Sequence, residues 1–311
     1  MTRHDRPTGR QYADEADFWR VRAFLRELLL EADRRFEAWH VLRWDYWRHH
    51  GIENCEWQDL RTVVRLWETE DGRLDAVVTA EGRGNAFPLL RPGIADEGFR
   101  HELLDAAETN DRLDRGGAAG SPLTVWVPSV DPGWIPVLTA RGYEPAGLPE
   151  DLRTASLDRV PAGVLPAGYS IRPVRDEDFP ARGVLSLVVF HPEPDGSDAM
   201  SLADYRNVQR CPLYRRDLDL VAVGPEGDLA GFTTAWFDDV TRTGFFEPVG
   251  VHPSHRRRGV ALALLAEGMR RLAWYGAELA YTASYGPEVG AVYEAAGLRA
   301  GARLLPWRRN A

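Results

Sequence analysis

One offset of 155 residues relates two separated parts of this chain, and it constrains the fold more than any other feature. Asp71-Gly72-Arg73-Leu74 aligns with Glu226-Gly227-Asp228-Leu229. Each tetrapeptide lies between two apolar runs, residues 63–67 and 76–79 in the first place, 218–223 and 230–234 in the second. Glycine at the turn with strand-favouring residues on both sides predicts a β-hairpin in each. The offset returns downstream, where Pro132 meets Pro287, Val137 meets Val292, and Ala140-Arg141-Gly142 meets Ala295-Ala296-Gly297. There a strand candidate (residues 123–127; 277–283) leads into a short helix closed by glycine. One offset holding in two regions predicts two copies of one fold.

The boundary between the copies is read at residues 161–168, Pro161-Ala162-Gly163-Val164-Leu165-Pro166-Ala167-Gly168, a Pro/Gly linker. It separates an N-terminal domain, 1–160, from a C-terminal domain, 169–311. After it a strand is predicted over 169–174, then a helix with Asp176 as its N-cap. Residues before Arg10 are predicted to be a mobile tail. A length of 311 residues agrees with two domains of about 150 each.

Composition removes several functional classes. The longest apolar stretch, near 184–190, falls short of the ~18 residues that span a bilayer. The first residues lack the apolar core of a signal peptide, so a cytoplasmic protein with no membrane contact is expected. A net charge of -9 lacks the basic footprint of a nucleic-acid binder. All 38 basic residues are Arg, which excludes Schiff-base chemistry and a phosphate-loop lysine. Cys55 and Cys211 are too few for a disulfide framework or a thiolate metal cage, and both read as buried small hydrophobes.

The strongest local motif is Phe246-Glu247-Pro248-Val249-Gly250-Val251-His252-Pro253-Ser254-His255-Arg256-Arg257-Arg258-Gly259-Val260-Ala261. A strand candidate over 245–251 enters a loop rich in Arg and Gly, which opens a helix over 260–274. Val260, Leu264, Leu265, Met269 and Leu272 recur at helical spacing, and Gly276 ends the run. A helix N-terminus offers free N–H groups and the positive end of the dipole, which together bind a phosphate. Gly259 permits close backbone approach, and the small Ala261 side chain leaves the same space clear. The pattern predicts a pyrophosphate-like anion site.

Arg256-x-x-Gly259-x-Ala261, after a Val-x-Pro strand exit, resembles the acyl-CoA signature of the GNAT superfamily, the Gcn5-related N-acetyltransferases. Ala291-Val292-Tyr293-Glu294-Ala295-Ala296-Gly297-Leu298 resembles that family's Leu-Tyr-x-x-x-Gly-Phe segment. The resemblance covers 169–311 directly and the first half only through the repeat. It implies a mixed α/β (α+β) fold of two tandem GNAT-like domains, each a twisted, mostly antiparallel sheet flanked by helices. It also implies acetyl-CoA as co-substrate, held at its phosphates by Arg256, Arg257, Arg258, Gly259, Val260, Ala261 and Leu262. The backbone of Val249, Gly250 and Val251, on a fourth strand that splays from the fifth, would hold the pantetheine arm. Tyr293 matches the tyrosine that protonates the departing thiolate, a task suited to a phenol that is protonated at pH 7. It also reads as a buried helical tyrosine. Gly286 stands where the family often has Asn, seven positions before the tyrosine. At the 155 offset the phosphate loop falls on His101-Glu102-Leu103-Leu104-Asp105-Ala106, acidic and without glycine, and Tyr293 falls on Leu138. The N-terminal copy is therefore predicted to be degenerate.

Acyl transfer to an amine needs a base and donors to the developing oxyanion. Glu247 lies on the implied fourth strand and reads either as that base or as an ion-pair partner of one of the many Arg side chains. Pro248 interrupts strand hydrogen bonding beside it. His252 and His255 read as loop residues near the CoA phosphates, and no metal is expected. Eight of the 11 Trp (19, 39, 44, 47, 57, 67, 126 and 134) lie in the first half. Phe36, Trp39, Arg43 and Trp47 fall near one helical face. They read as packing residues, or as an aromatic wall for a cationic amine with Asp45 as counter-charge.

These features predict an acetyl-CoA-dependent N-acetyltransferase acting by direct transfer on the primary amine of a small molecule, as a monomer or homodimer. Transfer to a protein or peptide amine, and an acyl-CoA-binding regulator without turnover, are the two other readings. Calorimetric titration with acetyl-CoA is expected to give one site per chain. A stoichiometry of two would overturn the degeneracy of the first copy.

Overall fold

The computed structural model describes residues 7–54, 58–94, 96–116, 122–190 and 202–309. Cys55 and Trp57 lie outside the described residues. In chain order the elements are β1 (Thr8–Gln11), α1 (Glu15–Glu31), α2 (Val41–Tyr46), α3 (Leu60–Val63), β2 (Arg65–Glu68), β3 (Leu74–Thr79) and β4 (Asn85–Leu90). There follow α4 (Glu97–Asp114), β5 (Leu123–Pro128), α5 (Trp134–Ala140), β6 (Glu144–Pro145) and β7 (Glu150–Ser156). The rest comprises β8 (Ser170–Pro173), α6 (Phe179–Phe190), α7 (Leu202–Val208), β9 (Asp219–Val223), β10 (Leu229–Asp238), β11 (Thr243–Val251), α8 (Val260–Tyr275), β12 (Leu279–Tyr285), α9 (Pro287–Ala295) and β13 (Arg299–Arg309).

Two compact units result. One is Met1–Asp151 with Ala302–Ala311, the other Leu152–Gly301. Both are mixed α/β, and both repeat one plan. In the first, β1 to β4 pair antiparallel in sequence order, and β4 then runs parallel to β5 from Asn85↔Thr124. In the second, β8 to β11 pair antiparallel, and β11 runs parallel to β12 from Thr243↔Leu279. A parallel pair needs a long crossover, and α4 and α8 supply it. Each sheet gains a sixth strand: β13 pairs with β5 from Leu304↔Pro128 in the first unit, and β7 lies beside β12 in the second. The hairpin turns match as the repeat predicts, with Gly72 at φ 84° and Gly227 at φ 86°, the left-handed region that glycine enters without steric cost.

The helices bury their apolar stripes against these sheets. Val260, Leu264, Leu265, Met269 and Leu272 of α8 are buried at the predicted spacing, and Gly276 ends the helix at φ 94°. Phe99, Leu103 and Ala107 of α4 pack with Trp67, Trp134 and Trp307 in the first unit. In the second, Asp219 is fully buried and accepts the hydroxyls of Tyr205, Tyr214 and Thr234, fastening α7 to the sheet. Burial raises its carboxyl above the usual range. Cys211 is buried, as its reading predicts. Among the described residues no helix is long and apolar enough to cross a membrane.

Three expectations require correction. Thr8 and Gly9 are strand rather than tail, because β1 pairs with β2 and Arg10 bonds to Asp17 at 2.7 Å. The carboxylate that caps the turn before α6 is Asp178, which accepts from the Arg175 N–H at 2.8 Å, while Asp176 pairs with Arg216. Phe36, Trp39, Arg43 and Trp47 do not share one helical face: α2 spans only Val41–Tyr46 and passes into a wider turn over Trp47–Ile52. Within residues 161–168, Gly163 packs on α8 so closely that a Cβ would lie 2.6 Å from that of Ala266.

Asp45 is fully buried and receives Arg22 through Nε at 2.6 Å and Nη2 at 3.0 Å. This bidentate pair removes Asp45 from the role of counter-charge to an amine. Losing one partner leaves a buried charge unpaired, so Asp45→Ala is expected to cost about 3–5 kcal/mol. Urea unfolding followed by Trp fluorescence, which this half dominates, measures it. An unchanged midpoint would show that the pair contributes nothing.

Candidate functional site

The site is built where β11 leaves β12. β11 keeps its antiparallel partner β10 to its end, through Thr233↔Val249, Phe232↔Gly250 and Gly231↔Val251. Its parallel ladder with β12 stops at Phe245↔Tyr281, and the two strands part beyond it. The register with β10 also slips between Thr233 and Ala235, so Glu247 and Pro248 form a bulge where the sequence places the proline interruption. The Trp236 indole donates to the Glu247 carbonyl at 2.5 Å and holds this bulge. His252 N–H bonds to the Ala230 carbonyl at 3.0 Å. N–H groups alternate along a strand, so those of Val249 and Val251 point away from β10, into the gap.

Tyr293 and Glu247 meet at the base of this gap. Tyr293, on α9, is buried, and its hydroxyl hydrogen-bonds the Thr282 side chain. Thr282 itself donates to the Phe246 carbonyl at 3.1 Å, the last backbone position before the bulge. Burial pushes the Tyr293 phenol up to about 12, with the Glu247 carboxylate raising it and the Arg153 guanidinium opposing. The phenol is therefore fully protonated at neutral pH. The structure thus places within electrostatic reach of each other the two residues the sequence analysis named for chemistry.

The loop after β11 presents the Arg side chains. His252 caps a single turn over Pro253–His255, accepting from the Ser254 N–H at 3.3 Å. Arg257 at φ 62° and Gly259 at φ 83° then turn the chain into α8. Arg256, Arg257 and Arg258 are exposed, and among the described residues none of the three has an ion-pair partner. A Cβ on Gly259 would find nothing nearer than the Val164 carbonyl at 3.7 Å, so the space before the helix is open. No side chain caps α8, which leaves the N–H groups of Val260, Ala261 and Leu262 available. Arg258 donates to the Tyr169 hydroxyl at 3.2 Å, Tyr169 lies 2.8 Å from His255 Nδ1, and His255 Nε2 lies 2.8 Å from Asp228. A carboxylate only accepts, so His255 donates through Nε2 and receives the Tyr169 hydroxyl at Nδ1. His252 and His255 are thus structural groups of this loop, and among the described residues no cluster of three or more metal-ligating side chains occurs.

The first unit has the same frame with different contents. The β4–β5 ladder comprises Asn85↔Thr124 and Ala86↔Val125. Where the strands part, Phe87 stacks on Trp126 with centroids 5.9 Å apart and an interplanar angle of 8°, and Trp126 donates to Asn85 at 2.9 Å. The helix after β4 begins at Glu97, so its counterpart to the phosphate loop lies just before Glu97 and not at 101–106; the 155 offset slips there because β10 and β11 are longer than β3 and β4 and the loop before α8 is longer than that before α4. Asp96 caps α4, accepting the Phe99 N–H at 2.7 Å. A carboxylate thus occupies the helix end that α8 leaves open. Trp39, Trp44 and Trp47 are buried core, which overturns the amine wall.

Sequence reasoning missed Thr282, Trp236, Tyr169, Asp228 and Arg153. Each acts through a partner distant in sequence, and no local pattern marks it.

Residues 184–297 match the acetyltransferase (GNAT) family. Over 249 residues the chain is 30% identical to the mycothiol acetyltransferase of Clavibacter michiganensis subsp. michiganensis (strain NCPPB 382), covering 77% of this chain and 78% of that protein. It is 28% identical to the mycothiol acetyltransferase of Clavibacter sepedonicus over 80% of this chain and 81% of that protein. Among solved structures it is similar in fold to a GCN5-related N-acetyltransferase from Sphaerobacter thermophilus (TM-score 0.68, 20% identity, 97% of this chain and 95% of that one). It is likewise similar to a tandem GNAT protein from the clavulanic acid biosynthesis pathway (TM-score 0.67, 19% identity, 97% and 98%). The repeated plan, the parted fourth and fifth strands and these relatives agree: the chain belongs to the GNAT acetyltransferase family, in its tandem form.

Proposed function

We propose that the second unit transfers an acetyl group from acetyl-CoA directly to the primary amine of a small molecule. The observation that supports this most is the open, uncapped N-terminus of α8, flanked by three Arg side chains that have no ion-pair partner among the described residues, beside a gap where Glu247 and Tyr293 converge. The residues fit acetyl-CoA: the clear space before α8 and its free N–H groups suit a pyrophosphate, and the gap admits an extended arm. Arg256, Arg257, Arg258, Gly259, Val260, Ala261 and Leu262 would hold the phosphates, and Val249, Gly250 and Val251 the pantetheine. When bound, the co-substrate supplies an activated thioester. The Val249 and Val251 N–H groups polarise its carbonyl, an oxyanion-hole role. Glu247 takes the proton of the attacking amine, directly or through water, and Tyr293 protonates the leaving sulfur. The Clavibacter relatives make a mycothiol-type acceptor the first small amine to test. Chromatographic detection of CoA release over a panel of amino sugars, cysteinyl amines, polyamines and N-terminal peptides separates this reading from peptide acetylation. Tight acetyl-CoA binding without turnover on any of them would favour a regulator.

Gly259→Asp places a carboxylate and a strained side chain at φ 83° on the helix end, imitating Asp96 of the first unit. It is expected to weaken acetyl-CoA binding more than tenfold, at least ~1.4 kcal/mol. Unchanged affinity by calorimetry in a folded variant would remove the phosphate-site assignment.

Tyr293→Phe keeps the ring and removes the hydroxyl. With Tyr293 as the acid, kcat is expected to fall about 10- to 100-fold, the low end of general acid help because a thiolate already leaves well. Acetyl-CoA affinity should hold. Since burial pushes this phenol to about 12, it stays protonated as pH rises through the neutral range, and it contributes no descending limb to kcat below about pH 10. Wild-type turnover in Tyr293→Phe would refute the assignment, whereas an alkaline limb near pH ~8–9 that this substitution abolishes would keep Tyr293 as the acid and overturn only its raised phenol.

A further inference from the structure

Arg153 lies on β7, ahead of the segment read as a linker, yet it belongs to the second unit. It is buried, and its planar fork reaches three different elements around Tyr293. Nε donates to the Ser284 hydroxyl on β12 at 2.7 Å. Nη1 donates to the Glu294 carboxylate on α9 at 2.8 Å and to the Leu298 carbonyl at 3.3 Å. Each contact is one step from Tyr293. Ser284 is two residues along β12 from Thr282, the partner of the Tyr293 hydroxyl. Glu294 follows Tyr293 directly, and Leu298 N–H bonds to the Tyr293 carbonyl at 2.9 Å. Room for the guanidinium comes from Gly290, one turn before Glu294, where a Cβ would stand 2.6 Å from Arg153 Nη2.

We propose that Arg153 is a positioning residue for the reaction: it fixes α9 on β12 so that the Tyr293 hydroxyl stays on Thr282, at the gap between β11 and β12. This rests on the reading of Tyr293 as the acid. Lysine cannot replace the fork, because an ammonium lacks the fixed, planar set of donors that bridges three acceptors. The Arg153 charge also acts on the Tyr293 phenol in the sense opposite to Glu247, lowering what the carboxylate raises.

Two variants and three measurements test it. Arg153→Lys keeps the charge and loses the fork. Gly290→Ala keeps Arg153, pushes a methyl against its Nη2, and favours the helix by about 0.5–1 kcal/mol, so folding is preserved. The measurements are acetyl-CoA affinity by calorimetry, CoA release with the amine that turns over best in the panel, and 19F NMR of protein labelled with 3-fluorotyrosine. The Tyr293 resonance is assigned by its loss in Tyr293→Phe. Both variants are expected to leave acetyl-CoA affinity unchanged, to lower kcat about tenfold, and to move the Tyr293 resonance. Residues that act as a unit are not additive, so Arg153→Lys should cost less than about twofold further in the Tyr293→Phe background. An unmoved resonance in Gly290→Ala, or a full tenfold loss from Arg153→Lys on top of Tyr293→Phe, would overturn the proposal. Should Arg153→Lys fail to fold, Gly290→Ala alone decides. Wild-type turnover by Tyr293→Phe would instead overturn the acid reading, and the resonance shift separates that failure from this one.

Discussion

The second unit depends on a ladder that stops early. After Phe245↔Tyr281, β11 has a partner on one side only. Backbone N–H and C=O groups deprived of a partner cost free energy when buried, so each must be met by something. Thr282 meets the Phe246 carbonyl, and the Trp236 indole meets that of Glu247. The outward N–H groups of Val249 and Val251 remain for whatever enters the gap. The same unfinished ladder that would destabilise an ordinary sheet is thus a prepared set of donors here. In the first unit the ladder ends at Ala86↔Val125, and the next residues on the two strands, Phe87 and Trp126, stack on each other.

The two crossover helices make the same contrast at their starts. α4 and α8 occupy equivalent places, each linking the fourth strand of its unit to the fifth. Asp96 puts a carboxylate on the N–H groups of α4, which satisfies them locally and places negative charge where an anion would sit. Gly259 puts nothing on those of α8 and adds a left-handed turn that opens the approach. One residue type at one position therefore separates a self-sufficient helix from one that wants an anionic partner. The Arg258–Tyr169–His255–Asp228 chain then fixes Arg258 beside this helix end with groups drawn from β10's hairpin turn and from just before β8.

What was legible in the sequence was local. The hairpins announced themselves through Gly72 and Gly227, because a tight turn with positive φ admits little else. α8 was legible end to end, since its buried stripe, its opening glycine and its closing glycine all lie within one stretch. Tyr293 and Glu247 could be named from motifs but not brought together, because their meeting depends on where β12 leaves β11. The errors have the same origin. A fixed offset cannot follow the different strand and loop lengths before α4 and α8. Helical spacing from Phe36 to Trp47 ignores that the chain becomes helical only at Val41. Asp45 looked available because its partner, Arg22, lies 23 residues away.

Arg153 lies ahead of the Pro/Gly segment and yet within the second unit. By sequence it closes the first copy, yet its guanidinium reaches Ser284, Glu294 and Leu298 of the second unit. The last ten residues of the chain, Ala302–Ala311, do the converse and belong to the first unit. Each unit therefore takes its sixth strand from beyond the segment that a repeat would assign to it. Cutting the chain at the Pro/Gly segment would leave the second unit without β7 and the first without most of β13. A first copy with its helix end capped can lose the fittings for a co-substrate. It cannot be lost as a stretch of chain, because the strand that braces Tyr293 is continuous with it.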